Sequence, residues 1–128
     1  MLEINIPEVI AEVRAAFERY EKALSVNDLE TIDSLFWNSP STLRYGPNGP
    51  LLGHAAISQF RRARAISGIK RTLKNTVITT FGRDFAVANT ESDRAGSDVL
   101  GMQSQTWVRM PQGWRIVSAH VSELPARK

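Results

Sequence analysis

Residues 71–124 read RTLKNTVITTFGRDFAVANTESDRAGSDVLGMQSQTWVRMPQGWRIVSAHVSEL, and along this stretch apolar residues recur with a period of two. That period places successive side chains on opposite faces, as in a half-buried β-strand. Four strands are predicted: Arg71–Thr80, Phe85–Ser92, Val99–Met110 and Trp114–Leu124. Gly82-Arg83-Asp84, Ala95-Gly96-Ser97 and Pro111-Gln112-Gly113 separate them, each short enough for a hairpin turn. The second half of the chain is therefore an antiparallel meander.

Upstream, the period changes to that of a helix. Ile6, Val9, Ile10, Val13, Phe17, Tyr20 and Leu24 follow at spacings of 3, 1, 3, 4, 3 and 4, so they share one arc. Pro7 suits the first turn, where its missing N–H costs nothing. Tyr20 falls near the middle of the arc, so its hydroxyl is expected inside, where it needs a partner. A second helix is predicted from Asn27, with Glu30 completing a capping box and Leu29, Ile32, Leu35 and Phe36 as its apolar face. Asn38-Ser39-Pro40 ends it. A short strand, Thr42–Tyr45, follows, then the turn Gly46-Pro47-Asn48-Gly49-Pro50 and a brief Leu51-Leu52. Gly53 leads into a third helix through Ile66. Three helices ahead of a meander predict an α+β architecture, with the helices covering one face of the sheet. The whole of residues 1–128 reads as a single domain.

Composition excludes several classes. With 42% hydrophobic and 23% charged residues, the chain is neither a disordered tail nor a collagen-like or coiled-coil rod. It has no cysteine, which removes disulfides, thiolate metal sites and a cysteine nucleophile. Its apolar runs fall far short of the roughly 20 residues of a membrane helix. Met1–Ile10 carries acids where a signal peptide carries lysines. A soluble cytoplasmic protein is expected.

Charge is unevenly distributed. Residues 1–33 hold eight acids against three bases, a local −5. From Ser34 to Arg83 there is no acid, only Arg44, Arg61, Arg62, Arg64, Lys70, Arg71, Lys74 and Arg83, a local +8. These cations either pair with the acidic first helix or line a positive cavity for an anionic ligand. On the third helix Ile57, Phe60, Arg61 and Arg64 fall within about 100° of one another, while Arg62 points away. Arg61 and Arg64 either snorkel from the packed face to water or grip a carboxylate through bidentate hydrogen bonds. Arg44 alternates with Leu43 and Tyr45, and parity alone leaves open whether it faces solvent or a pocket.

Other signatures are weak or missing. His54 and His120 have no second histidine at ligand spacing, and no metal is expected. His120 shares strand parity with Trp114, Ile116 and Ser118, which predicts an inward, hydrogen-bonded histidine. Gln103, Gln105 and Trp107 alternate along one strand, and the glutamines could offer neutral hydrogen bonds to a ligand. There is no phosphate-cradling glycine loop and no nucleophile-elbow serine. The basic residues are not interleaved with stacking aromatics, so nucleic acid is not an expected partner.

Several blocks carry a family likeness. Gly101–Arg109 and Gly113–Ser122 resemble the closing strands of the nuclear transport factor 2-like (SnoaL-like, cystatin-like) superfold, in which three N-terminal helices pack on a curved, mostly antiparallel sheet forming a cone. Phe17-Glu18-Arg19-Tyr20-Glu21, Phe36-Trp37, Thr42-Leu43-Arg44-Tyr45-Gly46 and Gln59-Phe60-Arg61-Arg62-Ala63-Arg64 together resemble the AtzH-like family. That family holds oxalurate-catabolism proteins and the decarboxylating 1,3-dicarboxyurea amidohydrolase of cyanuric acid breakdown. The resemblance implies a cofactor-independent enzyme acting on a small N-carboxylated urea, commonly a homodimer. It places the essential tyrosine and arginine at Tyr20 and Arg44, while Arg61, Arg64, Gln105 and His120, read from their own positions, are the substrate-binding candidates. Met102 departs from the arginine of many relatives, a change that bears on substrate choice. The rival expectation is a non-catalytic small-carboxylate binder or an accessory subunit of a neighbouring amidase, since a fold does not fix a function.

Overall fold

Pro7 opens α1 (Pro7–Val26), which buries Val9, Val13, Phe17, Tyr20, Ala23 and Leu24. These are the periodic positions of the sequence, with Ala23 filling a gap between bulkier neighbours. The helix ends because Asn27 turns left-handed (φ 57°, ψ 42°), a conformation asparagine tolerates better than most side chains. The N-cap of the next helix is accordingly one residue later than expected. Asp28, not Asn27, accepts from the Thr31 backbone N–H at 3.2 Å and from the Thr31 hydroxyl at 2.7 Å. It starts α2 (Leu29–Leu35), which buries Ile32 and Leu35.

The computed structural model describes residues 2–63 and 70–125. After α2 come β1 (Leu43–Gly46), β2 (Gly49–Leu52), α3 (His54–Ala63), β3 (Thr72–Phe81), β4 (Phe85–Asp93), β5 (Leu100–Met110) and β6 (Gly113–Leu124). The strands form one sheet in the order β2-β1-β6-β5-β4-β3. All neighbours are antiparallel except β1 and β6, which run parallel with Arg44 opposite Ala119. The last four strands are the meander read from the sequence. The parallel contact returns the chain's end to the first hairpin, so the sixth strand becomes central.

One irregularity decides which side chains face the helices. Between β5 and β6 the register passes from Trp107 opposite Ile116 to Thr106 opposite Ser118, leaving Val117 as an extra residue. This bulge reverses the facing of everything after it. Trp114 and Ile116 point to the core before it, and Ala119 is buried after it. The core therefore joins the α1 and α2 faces to Ala86, Ala88, Trp107, Trp114, Ile116 and Ala119 of the sheet. The Trp107 indole N–H finds its buried partner in Gln105 Oε1 at 3.1 Å, and Trp114 donates to Glu12 at 3.0 Å.

The outer strand β3 is partly covered. Asn5 donates its backbone N–H to Thr80 O at 3.0 Å and accepts from Thr80 N through its side chain at 2.9 Å. Among the described residues no helix is long and apolar enough to cross a membrane.

The Asp28 cap carries a pH signature. The hydrogen bonds from the Thr31 hydroxyl and backbone N–H hold its carboxyl below the usual carboxylate range. A depressed folded-state value stabilises the fold above the unfolded value, about 4, and this is lost as pH falls through the folded one. Thermal melts of the wild type and Asp28→Ala should thus differ at neutral pH and converge in acid. A gap that stays constant from pH 7 down to about 3 would show that the carboxylate's charge plays no part.

Candidate functional site

The third helix delivers its face to the interior as the wheel suggested. Ile57 and Arg61 are buried, whereas Arg62 is exposed and pairs with Asp33 at 2.6 Å. Arg61 Nη2 donates to the Tyr20 hydroxyl oxygen at 2.9 Å, a buried bond tying α3 to α1. The Tyr20 ring meets Phe36 edge-on, centroids 5.9 Å apart, which limits how the phenol can move. Because Arg61 already donates to that oxygen, the phenolic proton is directed to some other acceptor.

Arg44 is 5% exposed, although it is an arginine on a short strand. Its partner across β1 and β6 is Ala119, so both face the core side, and Tyr45 takes the outer face. The guanidinium carbon lies 5.2 Å from the Phe60 ring centroid, a cation–π contact with α3. On its own strand the guanidinium lies over Gly46, where an added Cβ would come within 2.7 Å of Nη1.

Tyr20, Arg44, Phe60 and Arg61 line one cavity of about 320 Å³, with Leu24, Leu51 and Val121 as apolar wall. That is at the small end of ligand sites, which span about 300–1,000 Å³. Arg71 and Gln103 line it further along, with Arg94 and Glu123. Arg71 pairs with Glu21 at 2.8 Å, their side chains 9% and 16% exposed, and also donates to Gln103 Oε1 at 3.0 Å. Gln103 Nε2 donates back to Glu21 at 3.3 Å, so the amide is locked in orientation and the pair's charges offset each other. A recess of about 110 Å³ adjoins, sharing Arg71, Arg94, Val121 and Glu123.

The acid-free stretch thus divides. Arg83 pairs with Glu8, Arg71 with Glu21, Arg62 with Asp33 and Lys74 with Asp93. Arg44 and Arg61 are both buried in the cavity wall, and Arg61 has no carboxylate partner among the described residues. The Arg61 guanidinium thus brings a positive charge to this end of the cavity. The described residues hold no group of three or more His, Asp or Glu that could bind a metal ion.

Two expected binding residues are corrected. His120 is exposed on the outer face, its ring 5.6 Å from that of Tyr45, because the bulge at Val117 reversed the parity that predicted it inward. Gln105 is buried but is absent from the cavity wall, since its carbonyl serves Trp107. Gln103, two residues earlier and opposite Val121, takes the wall position instead. Arg64 lies outside the described residues. Met102 lines the adjoining recess. Sequence reasoning passed over Arg71, whose signal was a cation at the start of a strand in a segment without acids, and Phe60, whose wheel position beside Arg61 pointed the same way.

Comparisons with known proteins agree with this architecture. The AtzH-like family profile matches residues 2–127. A crystal structure of a protein of unknown function from Pectobacterium atrosepticum is 55% identical, covers 94% of each chain and superposes with a TM-score of 0.92. A cystatin-like fold protein from Burkholderia xenovorans is 45% identical over 99% of this chain and 100% of its own, also at 0.92. A nuclear transport factor 2-like superfamily protein from Salmonella enterica is 29% identical over 94% of each chain, with a TM-score of 0.71. Among curated proteins no match is found. The fold is nuclear transport factor 2-like, or cystatin-like, and the chain belongs to the AtzH-like family.

Proposed function

We propose that the protein is a cytoplasmic, cofactor-independent decarboxylating amidohydrolase of a small N-carboxylated urea, such as 1,3-dicarboxyurea, in cyanuric acid or oxalurate catabolism. The observation that carries this reading is the 2.9 Å hydrogen bond from Arg61 to the Tyr20 hydroxyl in the wall that also holds Arg44. A phenol with its oxygen already engaged by a cation is a proton donor beside two groups that bind carboxylates. Family membership supports the same direction.

In this mechanism Arg44, with Arg61, holds a substrate carboxylate in the partly enclosed cavity. Tyr20 gives its proton to the carbamate nitrogen. The C–N bond breaks with its electron pair left on nitrogen, and the carboxylate departs as carbon dioxide. Arg61 stabilises the phenolic oxygen as the proton leaves, and water returns a proton to it. N-carboxylates lose carbon dioxide readily once the nitrogen is protonated, so one positioned acid and a carboxylate clamp suffice. Arg71 and Gln103, both bonded to Glu21, form a polar stretch of wall that suits the uncharged ureido part of such a substrate.

The test is incubation with 1,3-dicarboxyurea and assay of allophanate and carbon dioxide. Tyr20→Phe should lower kcat by about 10²–10⁴-fold, the usual contribution of a general acid, and Arg44→Ala should chiefly raise KM. Turnover that survives both substitutions removes these residues from the chemistry. A ligand-induced rise in Tm without turnover would make the protein a carboxylate binder instead.

We also propose a homodimer formed through the outer sheet face. Tyr45, Val77, Phe85 and Met102 leave large apolar side chains exposed there, at 46%, 56%, 53% and 37%. Light scattering on the eluting protein should give twice 14.3 kDa, whereas the monomer mass at micromolar concentration would refute it.

A further inference from the structure

Arg44 reaches the cavity from a strand of four residues, and a guanidinium on a flexible stem has many rotamers to choose from. Something must select one. Among the described residues, Phe60 and Gly46 lie against the guanidinium. The Phe60 ring, on α3, lies 5.2 Å from its central carbon. Gly46, two residues along β1 and so on the same face, leaves open the space that the guanidinium fills. A Cβ there would stand 2.7 Å from Nη1, 3.3 Å from the guanidinium carbon and 3.4 Å from Nη2, so the whole plane rests against the bare backbone.

The requirement for glycine at this position is spatial. Gly49, Gly53, Gly82, Gly96 and Gly113 adopt positive φ, but Gly46 does not, so its backbone conformation is open to any residue. Nothing in the turn demands a glycine at Gly46, whereas the resting place of Arg44 does.

We propose that Gly46 and Phe60 are positioning residues that set the reach of the Arg44 guanidinium into the cavity, and with it the length of carboxylate that fits between Arg44 and Tyr20. This rests on the reading of the cavity as a carboxylate site. Gly46, outside the cavity lining, supplies room, and Phe60, which lines the cavity, supplies an electron-rich face, and both act on the ligand through Arg44. The contact also ties α3 to strand β1 of the sheet, so the cation is held between two separate elements rather than by its own stem alone.

The test uses the full-length protein and glutarate, which has the same number of chain atoms between its carboxylates as 1,3-dicarboxyurea. Calorimetry on wild type, Phe60→Leu, Phe60→Tyr and Gly46→Ala should show glutarate binding weakened by about 2- to 30-fold in Phe60→Leu, the range of one cation–π contact. Phe60→Tyr, which keeps the aromatic face, should restore it. Gly46→Ala should weaken binding while Tm holds, because the atom displaced is the tip of a side chain. In a ligand-free crystal structure of Gly46→Ala the guanidinium should be off the Phe60 ring with the β1–β6 pairing intact. Equal loss in Phe60→Leu and Phe60→Tyr, or a Gly46→Ala guanidinium in its wild-type place, overturns the proposal. If the wild type does not bind glutarate, the carboxylate-site reading falls, and the ligand-free structure alone decides whether Gly46 and Phe60 hold Arg44.

Discussion

The hydrogen bond between Arg61 and Tyr20 is the constraint on which the site depends. A guanidinium taken out of water is costly unless polar groups receive it, and a hydrogen bond to a charged group contributes about 1.5–3 kcal/mol. Here the receiver is a phenol carried by the first helix, where the apolar periodicity had already aimed it inward. The bond therefore sets the spacing of α1 and α3 and leaves the phenolic proton directed elsewhere. Arg44 enters the same wall from the sheet side. Helix, helix and strand each contribute one group, so the cavity exists only when all three layers are packed.

The second polar cluster has a different character. Arg71, Glu21 and Gln103 hydrogen-bond to one another and join α1 to β5 across the start of β3. Its charges cancel, whereas Arg61, at the other end, has no carboxylate partner among the described residues. An asymmetric cavity of this kind orients a molecule that is anionic at one end and amide-like in the middle. That argument concerns these residues and not the fold, since the same architecture carries many unrelated activities.

Much of this was legible in the sequence because the dominant signals were periodic. The inward Tyr20, the four long strands and the placing of Arg61 and Arg62 on different sides of α3 all follow from counting, whereas the burial of Arg61 over snorkelling does not. Counting fails where a residue is inserted. Val117 adds one position to β6, and every parity beyond it reverses, which is why His120 was expected inside and lies outside. The Asn27 and Asp28 pair shows the same sensitivity at a helix start, where either residue can cap and a left-handed turn decides. Gln103 and Gln105 share a face, so parity cannot separate them. Distance along the strand does, with the inner glutamine consumed by Trp107. Arg44 was undecidable locally because its facing comes from a parallel pairing with a strand far away in sequence.

The most direct measurement is a crystal structure of the protein with glutarate bound. One carboxylate should lie within hydrogen-bonding distance of the Arg44 guanidinium and the Tyr20 hydroxyl, with the chain running toward Gln103 and Arg71. Glutarate found elsewhere, or Arg44 turned out to solvent while Tyr20 stays buried, would contradict the account.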